Sequence, residues 1–325
     1  MRALLCRRWG GPETLELSEQ AVPTLGSKDV LIQVNASAVN YADLVMIRGR
    51  YQTRPQFPFS PGLEACGIVV KCGDDVTKWC PGDRVMALLD YGGFAEMAFA
   101  HEELCYAIPE KMDNHTAAAF LIAYVSSHVA LRWQARIEKG NSILVLGSAG
   151  GVGLTAVEIA KIMGARVIAA ASSCKKLELA TSRGADETVN YSNQNLKNTV
   201  LNLTNQKGVD ICFDPIGGDL FDSALSAVGW GGRYLHIGFV GGIPQIPANR
   251  LLVKHRSAMG SALRFYRQYR KDLLEQSVYE LLDWWQEGKL KLEVGAVYDL
   301  DGAVEALNAL DSRSVLGKVV ISVKP

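Results

Sequence analysis

The chain has 325 residues, with 34 Lys or Arg and 34 Asp or Glu, so its formal net charge at pH 7 is zero. Such a chain has no strong field with which to attract nucleic acid or an anionic membrane, and we expect neither as a partner. The length is sufficient for about two domains that each bury their own core.

The apolar runs and the cysteines indicate the compartment. The longest apolar run, Ala117 to Val125, is about half the length that a bilayer requires, so it predicts a buried helix. The apolar stretch at the N-terminus is too short for the core of a signal peptide. The seven cysteines are scattered without a C-x-x-C pair, which disfavours a disulfide framework and a zinc ribbon. We therefore expect a soluble cytoplasmic protein.

The N-terminal third of the chain is predicted to be rich in β-structure. Up to about residue 115, short β-like runs alternate with turn-forming proline and glycine residues. The clearest strands are DVLIQVNASAVN, GIVVKCG and DRVMALL.

From about residue 118 the pattern changes to alternating strands and helices. Ile143 to Leu146 is a short apolar run typical of a buried parallel strand, and the segment GSAGGVG follows it. Apolar residues then recur at three- and four-residue steps as far as Gly164, as in an amphipathic helix. A second strand, Ala165 to Ala171, completes a βαβ unit of about thirty residues.

This βαβ context makes the glycine-rich loop a dinucleotide-binding fingerprint. Gly150 permits the backbone to approach a pyrophosphate, and Gly153 permits the helix to lie tightly on the strand. Free amides at the helix start favour an anion. The sequence departs from the usual G-x-G-x-x-G, because Ser148 occupies the first glycine position. We predict pyrophosphate contacts from Ser148, Ala149, Gly150, Gly151 and Val152.

The end of the second strand predicts which dinucleotide binds. An NAD site usually has an acidic residue about twenty residues after the fingerprint, whereas this segment reads AASSCKKLE. Hydroxyl and ammonium donors from Ser172, Lys175 and Lys176 suit a 2′-phosphate, which favours NADPH over NADH. A serine helix cap followed by solvated lysines is the alternative, and it is compatible with the same role.

The remaining elements complete a two-domain pattern. The strands VDICFD and GRYLHIGF each lead into a glycine pair, where a parallel sheet presents its ligand crevice. After residue 260 an amphipathic helix ends at Gly288, and the chain returns to β-structure with GKVVISV. We predict that residues 118–260 form the nucleotide-binding domain, and that residues 1–117 and 261–325 form the other.

Five segments spread over nearly the whole chain carry a family resemblance: VNYADLVMIRGRY, PFSPGLEACGIV, GDRVMAL, GSAGGVG and GKVVIS. With them the chain resembles the medium-chain dehydrogenase/reductase superfamily, specifically its zinc-independent quinone oxidoreductase branch, the ζ-crystallin-like proteins. The resemblance implies an α/β protein with a GroES-like, β-rich catalytic domain and a Rossmann domain with a doubly wound parallel sheet. It also implies a homodimer.

The departures from the zinc-containing relatives imply that no metal is bound. Alcohol dehydrogenases of the superfamily have a cysteine where this chain has Asn40, and a histidine where it has Leu63. Leucine cannot bind a metal, and Asn40 with Asp43 would be a poor, all-oxygen site for zinc. Without a Lewis acid, alcohol oxidation is disfavoured.

The resemblance implies an NADPH:quinone oxidoreductase that delivers hydride to a quinone or a related electron-poor acceptor. An enal or enoyl-thioester reductase is one alternative, and an NADPH-binding, non-enzymatic or RNA-associated ζ-crystallin-like protein is another. Asn40 and Tyr51 would line the catalytic site and contact NADPH, with Asp43 behind them. Tyr51 could act as a general acid, contact the cofactor, or pack on neighbouring prolines.

Further cofactor contacts are carried over from the family at single positions. Tyr191 corresponds to a residue near the adenosine phosphate, and Lys318 to a contact near the C-terminus. Gly238, Phe239 and Val240 correspond to the loop beside the nicotinamide ribose. The five histidines show no ligand spacing, so each is predicted to be structural.

Overall fold

The structure, a computed structural model, describes residues 1–22 and 24–323; residues 23, 324 and 325, including the end of the predicted segment 261–325, lie outside the description. The chain divides into two compact units. The first consists of Met1–Ile122 together with the chain from Leu292 onward, and the second of Ala123–Lys291.

The elements of the first unit up to residue 122 are mostly strands. In chain order they are β1 Arg2–Cys6, β2 Leu15–Glu19, β3 Asp29–Val39, α1 Tyr41–Ile47, β4 Glu64–Cys72, β5 Arg84–Leu88, β6 Met97–His101, β7 Cys105–Ala107 and α2 Asn114–Phe120. Short 3-10 turns lie at Pro12–Thr14 and Glu102–Leu104, and a π-helical turn follows α2 at Leu121–Val125.

The second unit alternates helices and strands. In chain order they are α3 Ser126–His128, β8 Ser142–Leu146, α4 Gly151–Ile162, β9 Arg166–Ala171, α5 Cys174–Ser182, β10 Glu187–Asn190, α6 Leu196–Leu203, β11 Val209–Asp214, α7 Phe221–Ala227, β12 Val228–His236, α8 Ala248–Leu252, β13 Ser257–Gly260, α9 Leu263–Tyr269 and α10 Lys271–Gln286. A π-helical segment, Val129–Gln134, follows α3, and a 3-10 turn, Gly218–Leu220, precedes α7. The chain then returns to the first unit with β14 Val294–Asp299, α11 Ala303–Asp311 and β15 Lys318–Ser322.

The first unit is built around a seven-stranded sheet in the order β14-β15-β3-β4-β5-β7, with β6 also paired to β3. Only the β14–β15 pair is parallel among the described strand pairs of this sheet. Val30, Ile32 and Val34 alternate along β3 and are fully buried in one apolar cluster, because successive strand residues point to opposite faces. Strands β1 and β2 form a separate antiparallel pair.

The second unit is a doubly wound Rossmann fold. Its six strands are all parallel and follow the order β10-β9-β8-β11-β12-β13. In such a sheet, ligands bind beyond the carboxyl ends of the strands, beside the point where the strand order reverses. The predicted fold class, a β-rich GroES-like domain with a Rossmann domain, is confirmed.

The return to the first unit differs from the predicted boundary at residue 261. Residues 261–291 lie in the second unit, because the apolar stripe of α10 is buried there: Leu274, Val278 and Leu281 are at most 1% exposed. The indole N–H of Trp133 also donates to Ser277 Oγ at 2.9 Å. Amphipathic spacing predicts a helix with one buried face, but it does not identify the domain against which that face packs.

The apolar run Ala117 to Val125 is helical and mostly buried, as predicted, and it spans the end of α2 and the π-helical turn. No helix in the described part of the chain combines the length and apolarity needed to cross a membrane.

Candidate functional site

The glycine-rich loop connects β8 to α4 in the second unit. Ser148 is fully buried, and both its amide and its hydroxyl donate to the carbonyl of Ala170 in β9 at 3.2 Å. Gly150 is the N-cap of α4 and has an extended backbone, with φ −82° and ψ 167°. The hydroxyl of Ser148 therefore fixes the turn to the sheet, and its predicted cofactor contact stays a prediction.

Packing within the protein requires a glycine at position 153 but not at position 150. A Cβ at Gly153 would lie 2.2 Å from the carbonyl oxygen of Gly147, so a side chain there would separate the helix from the turn. A Cβ at Gly150 would meet only that same oxygen, at an ordinary 3.5 Å. Since neither sterics nor φ requires glycine at position 150, the absent side chain leaves the N-terminus of α4 open to an anion. The loop thus fits a pyrophosphate.

Two hydroxyl groups that were not predicted hold the first turn of α4. Ser127 Oγ donates to the carbonyl of Val152 at 2.9 Å, and Thr155 Oγ1 donates to the carbonyl of Ala123 at 3.0 Å. Both side chains are buried. They fix the helix start whose free amides face the predicted anion site.

A polar cluster forms at the carboxyl end of β9. Lys176 Nζ donates to Ser172 Oγ at 3.2 Å, and Ser192 Oγ donates to the carbonyl of Ser172 at 3.0 Å. The amide of Tyr191 donates to the carbonyl of Ala171 at 3.1 Å, which places it beside the same strand end. Lys175 is exposed. The structure thus brings three of the four predicted residues together, and it adds Ser192.

The loops after β11 and β12 are held together by Asp214, which was not predicted. Its carboxylate is fully buried and accepts hydrogen bonds from the amides of Ile216 and Gly217, at 2.7 and 2.8 Å, and from the hydroxyl of Tyr234, at 2.7 Å. The amide of Gly218 donates to the carbonyl of Gly242 at 2.9 Å. Asp214 is the last residue of VDICFD, three residues before the glycine pair that starts at Gly217, and this position was its only sequence signal.

The predicted loop Gly238, Phe239 and Val240 lies beside the loop that follows β11. The amide of Gly238 donates to the carbonyl of Asp214 at 3.4 Å, and the amide of Val240 donates to that of Pro215 at 3.5 Å. Phe239 is 43% exposed. The loop therefore extends from the carboxyl edge of the sheet with an aromatic side chain accessible.

In the first unit, Asp43 closes the start of α1. Its carboxylate is fully buried and accepts from the amides of Asn40 and Gly62, at 2.8 and 3.1 Å. Burial raises the pKa of Asp43 to about 7, although both hydrogen bonds and the charge of Lys318 oppose the shift. Asp43 therefore supports the backbone around Asn40 and Gly62.

A buried polar network surrounds Asn40. Lys318 Nζ donates to Asn40 Oδ1 at 2.5 Å and to Glu64 Oε1 at 3.1 Å. Asn40 Nδ2 donates to Glu64 Oε1 at 3.0 Å and to the carbonyl of Ala38 at 3.2 Å. The second oxygen of Glu64 accepts from the amide of Ile122 at 2.9 Å. Both amide hydrogens of Asn40 are thus engaged, and its Oδ1 accepts from Lys318.

Glu64 is the residue of this network that was not predicted as a site residue. It is 1% exposed, and Lys318 is 4% exposed, so the pair forms a buried ion pair. Breaking such a pair by removing one partner is strongly destabilising. Glu64 directly follows Leu63, one of the two positions at which the chain departs from the zinc-containing relatives, and this neighbourhood was its only sequence signal.

Tyr51 lies in the loop after α1 and is half-buried. It packs against an apolar cluster that includes Phe59 and Leu63.

Leu63 occupies the position at which the zinc-containing relatives have a histidine, and it is buried, with 6% of its surface exposed. Within residues 1–22 and 24–323 there is no group of three or more His, Cys, Asp or Glu side chains arranged to hold a metal ion.

The chain matches two family models. The model described as alcohol dehydrogenase GroES-like domain matches residues 26–110, and the model described as zinc-binding dehydrogenase matches residues 151–278. Quinone oxidoreductase-like protein 2 of Bos taurus is 37% identical over 325 residues, covering 99% of this chain and 93% of that protein. The quinone oxidoreductase of Homo sapiens is 32% identical over 324 residues, covering 99% of this chain and 97% of that protein.

Solved structures agree with these matches. The Escherichia coli quinone oxidoreductase complexed with NADPH has a TM-score of 0.94 at 25% identity, covering 99% of this chain and all of that one (100%). The quinone oxidoreductase of Thermus thermophilus has a TM-score of 0.88 at 31% identity, with 99% and 100% covered. A GroES-like unit combined with a Rossmann unit defines a medium-chain dehydrogenase/reductase. Within that superfamily, the chain belongs to the quinone oxidoreductase-like family of oxidoreductases.

Proposed function

We propose that this oxidoreductase uses NADPH to reduce quinones or related electron-poor acceptors, by a hydride transfer that requires no zinc. The proposal rests on the N-terminus of α4. Neither packing nor backbone conformation requires a glycine at position 150. The relatives named quinone oxidoreductase, and the neighbour crystallised with NADPH, support it. When bound, NADPH supplies the hydride.

Different residues of the second unit are proposed to bind different parts of the cofactor. The amides of Ala149, Gly151 and Val152 would hold the pyrophosphate, and Gly150, whose amide donates to the carbonyl of Gly147, would leave room for it. Ser172 and Lys176, with Tyr191 beside them, would hold the 2′-phosphate and adenosine end. Gly238, Phe239 and Val240 would contact the nicotinamide ribose. In the first unit, Asn40, Tyr51 and Lys318 are the residues proposed to contact NADPH, with Asp43 supporting Asn40.

Lys176→Ala is expected to weaken NADPH binding and to leave NADH binding nearly unchanged. A charge-assisted contact is worth about 1.5–3 kcal/mol, which corresponds to about tenfold to somewhat over a hundredfold in affinity. Fluorescence titration with both cofactors measures the change. Lys207→Ala is the control, because Lys207 is an exposed lysine of the same unit that precedes β11, at the opposite end of the strands from the predicted cofactor site. Equal weakening of both cofactors by Lys176→Ala would exclude the 2′-phosphate role.

Zinc independence is proposed from the side chains at the two replaced ligand positions. Leu63 has no donor atom, and both amide hydrogens of Asn40 are engaged within the protein. We expect full turnover after dialysis against a chelator, with elemental analysis of the same sample as the check. Stoichiometric zinc whose removal abolishes turnover would contradict this proposal.

The acceptor class is tested by turnover. We expect turnover with quinones. The measurement is NADPH consumption on a panel of simple quinones, enals, enones and enoyl thioesters. Preference for the enals or thioesters would instead identify a carbon–carbon double-bond reductase. NADPH binding without consumption on any acceptor would indicate a non-enzymatic role.

We further propose a cytoplasmic homodimer. All seven cysteines are free thiols, which suits a reducing compartment. Strand β13 forms one edge of the Rossmann sheet, and the large exposed apolar side chains of this unit include Trp230, Leu252 and Val253, at 75%, 76% and 72%. An exposed apolar surface with an open sheet edge suits association with a second copy. Sedimentation equilibrium measures the stoichiometry.

A further inference from the structure

The imidazole of His236, a residue predicted from sequence to be structural, has no hydrogen-bond partner among the described residues. It is the last residue of β12, and it is only 8% exposed. Neither ring nitrogen has a hydrogen-bond partner among the residues that the structure describes. Buried polar groups in folded proteins are nearly always hydrogen-bonded, so this side chain requires an explanation.

The surroundings of His236 favour a neutral ring. The aromatic rings of Phe221, Tyr234 and Phe239 lie around it, with centroids at 5.7, 4.9 and 6.1 Å. Burial lowers the pKa of His236, and the charge of Asp214 only partly opposes that shift. A neutral imidazole carries one N–H donor and one acceptor nitrogen.

The nearest acidic group is already engaged elsewhere. The carboxylate of Asp214 accepts the Tyr234 hydroxyl and the amides of Ile216 and Gly217. His236 is not hydrogen-bonded to Asp214, and both of its ring nitrogens are buried and unpaired among the described residues, so a ligand would supply the missing partners. A neutral ring in an aromatic pocket suits a neutral polar group better than a phosphate, because it offers a phosphate no charge.

The position of His236 indicates which part of a ligand it meets. It lies at the carboxyl end of a parallel strand, where Rossmann folds bind their ligands. Two residues later begins the segment Gly238 to Val240, which we assign to the nicotinamide ribose. The neutral polar group of the nicotinamide ring is its carboxamide, which offers both a donor and an acceptor.

We propose that His236 is a cofactor-binding residue whose imidazole hydrogen-bonds the nicotinamide carboxamide of NADPH. This inference rests on the proposed use of NADPH. It predicts that His236 recognises only the nicotinamide half of the cofactor, whereas the glycine-rich loop and Lys176 recognise the other half.

The test compares NADPH with 2′-phospho-ADP-ribose, which lacks the nicotinamide. His236→Phe is expected to weaken NADPH binding about three- to tenfold, the range of one neutral hydrogen bond, and to leave binding of the fragment unchanged. His236→Asn, which keeps a donor and an acceptor, is expected to recover part of the loss. His255→Asn is the matched control, because His255 is an exposed histidine of the same unit. Isothermal titration calorimetry measures each affinity.

Nuclear magnetic resonance tests the contact in the wild-type protein, and so does not depend on the folding of a variant. With ¹⁵N-labelled histidine the spectrum contains five imidazoles, and the His236 signal is the one lost in His236→Asn. Its ring nitrogens are expected to shift on addition of NADPH and not on addition of the fragment. Equal shifts with both ligands, or equal affinity of wild type and His236→Phe for NADPH, would overturn the inference. Failure of the wild type to bind NADPH at all would instead refute the proposed function.

Discussion

Gly150→Ala is expected to fold like the wild type and to bind NADPH about five- to 150-fold more weakly. The added methyl would meet only the carbonyl oxygen of Gly147, at 3.5 Å, so the protein tolerates it. The same methyl would occupy the space that a pyrophosphate needs in order to reach the amides of α4. Overpacking of this kind costs about 1–3 kcal/mol, which sets the expected range. Calorimetric titration with NADPH and NADH measures it, and both should weaken equally because they share the pyrophosphate.

Gly153→Ala is the matched variant, and the opposite result is expected. Its methyl would lie 2.2 Å from the carbonyl oxygen of Gly147, so the turn and the helix must separate. A loss of about 3 kcal/mol lowers the midpoint of thermal unfolding by about 6–12 °C for a domain of this size. Differential scanning calorimetry of both variants separates the two roles. Normal NADPH affinity of Gly150→Ala would show that the glycine-rich loop does not bind the cofactor.

The Rossmann unit could be predicted well because its signals are local. A parallel strand buried on both faces is a short apolar run, and the ligand loops follow such strands directly. The predicted run VDICFD coincides with β11, Val209–Asp214, and the predicted helix after the glycine-rich loop is α4. Lys176 and Ser172 are four residues apart at the start of α5, so their contact is local as well.

The polar network around Asn40 could not be predicted in the same way. The ion pair between Lys318 and Glu64 joins residues separated by 254 positions, and only the tertiary fold brings them together. Spacing in one sequence contains no signal for such a pair. The hydrogen bond between Asp214 and Tyr234 could not be predicted either, because it depends on the pairing of β11 with β12.

Tyr51→Phe is expected to reduce enone turnover about 10²–10⁴-fold and to leave quinone turnover within about tenfold. A carbon–carbon double bond that receives a hydride at one carbon leaves an enolate, and an acid must then protonate it. The oxygens of a reduced quinone can take protons from water. Tyr51 is half-buried against the cluster that contains Phe59, so its ring position survives the loss of the hydroxyl. Steady-state kinetics on one quinone and one enone measure the difference.

The control is Tyr41→Phe, because Tyr41 is another half-buried tyrosine that packs against the same cluster. Its hydroxyl has no role in the proposed chemistry, so both substrates should turn over normally. Tyr51→Ala removes the ring as well, and an increase in the NADPH concentration needed for both substrates would show that the ring contacts the cofactor. If Tyr51→Phe lowers both turnovers slightly and equally, Tyr51 is not the acid. Because the enolate must still be protonated, solvent would then be the proton source for enones as well as for quinones.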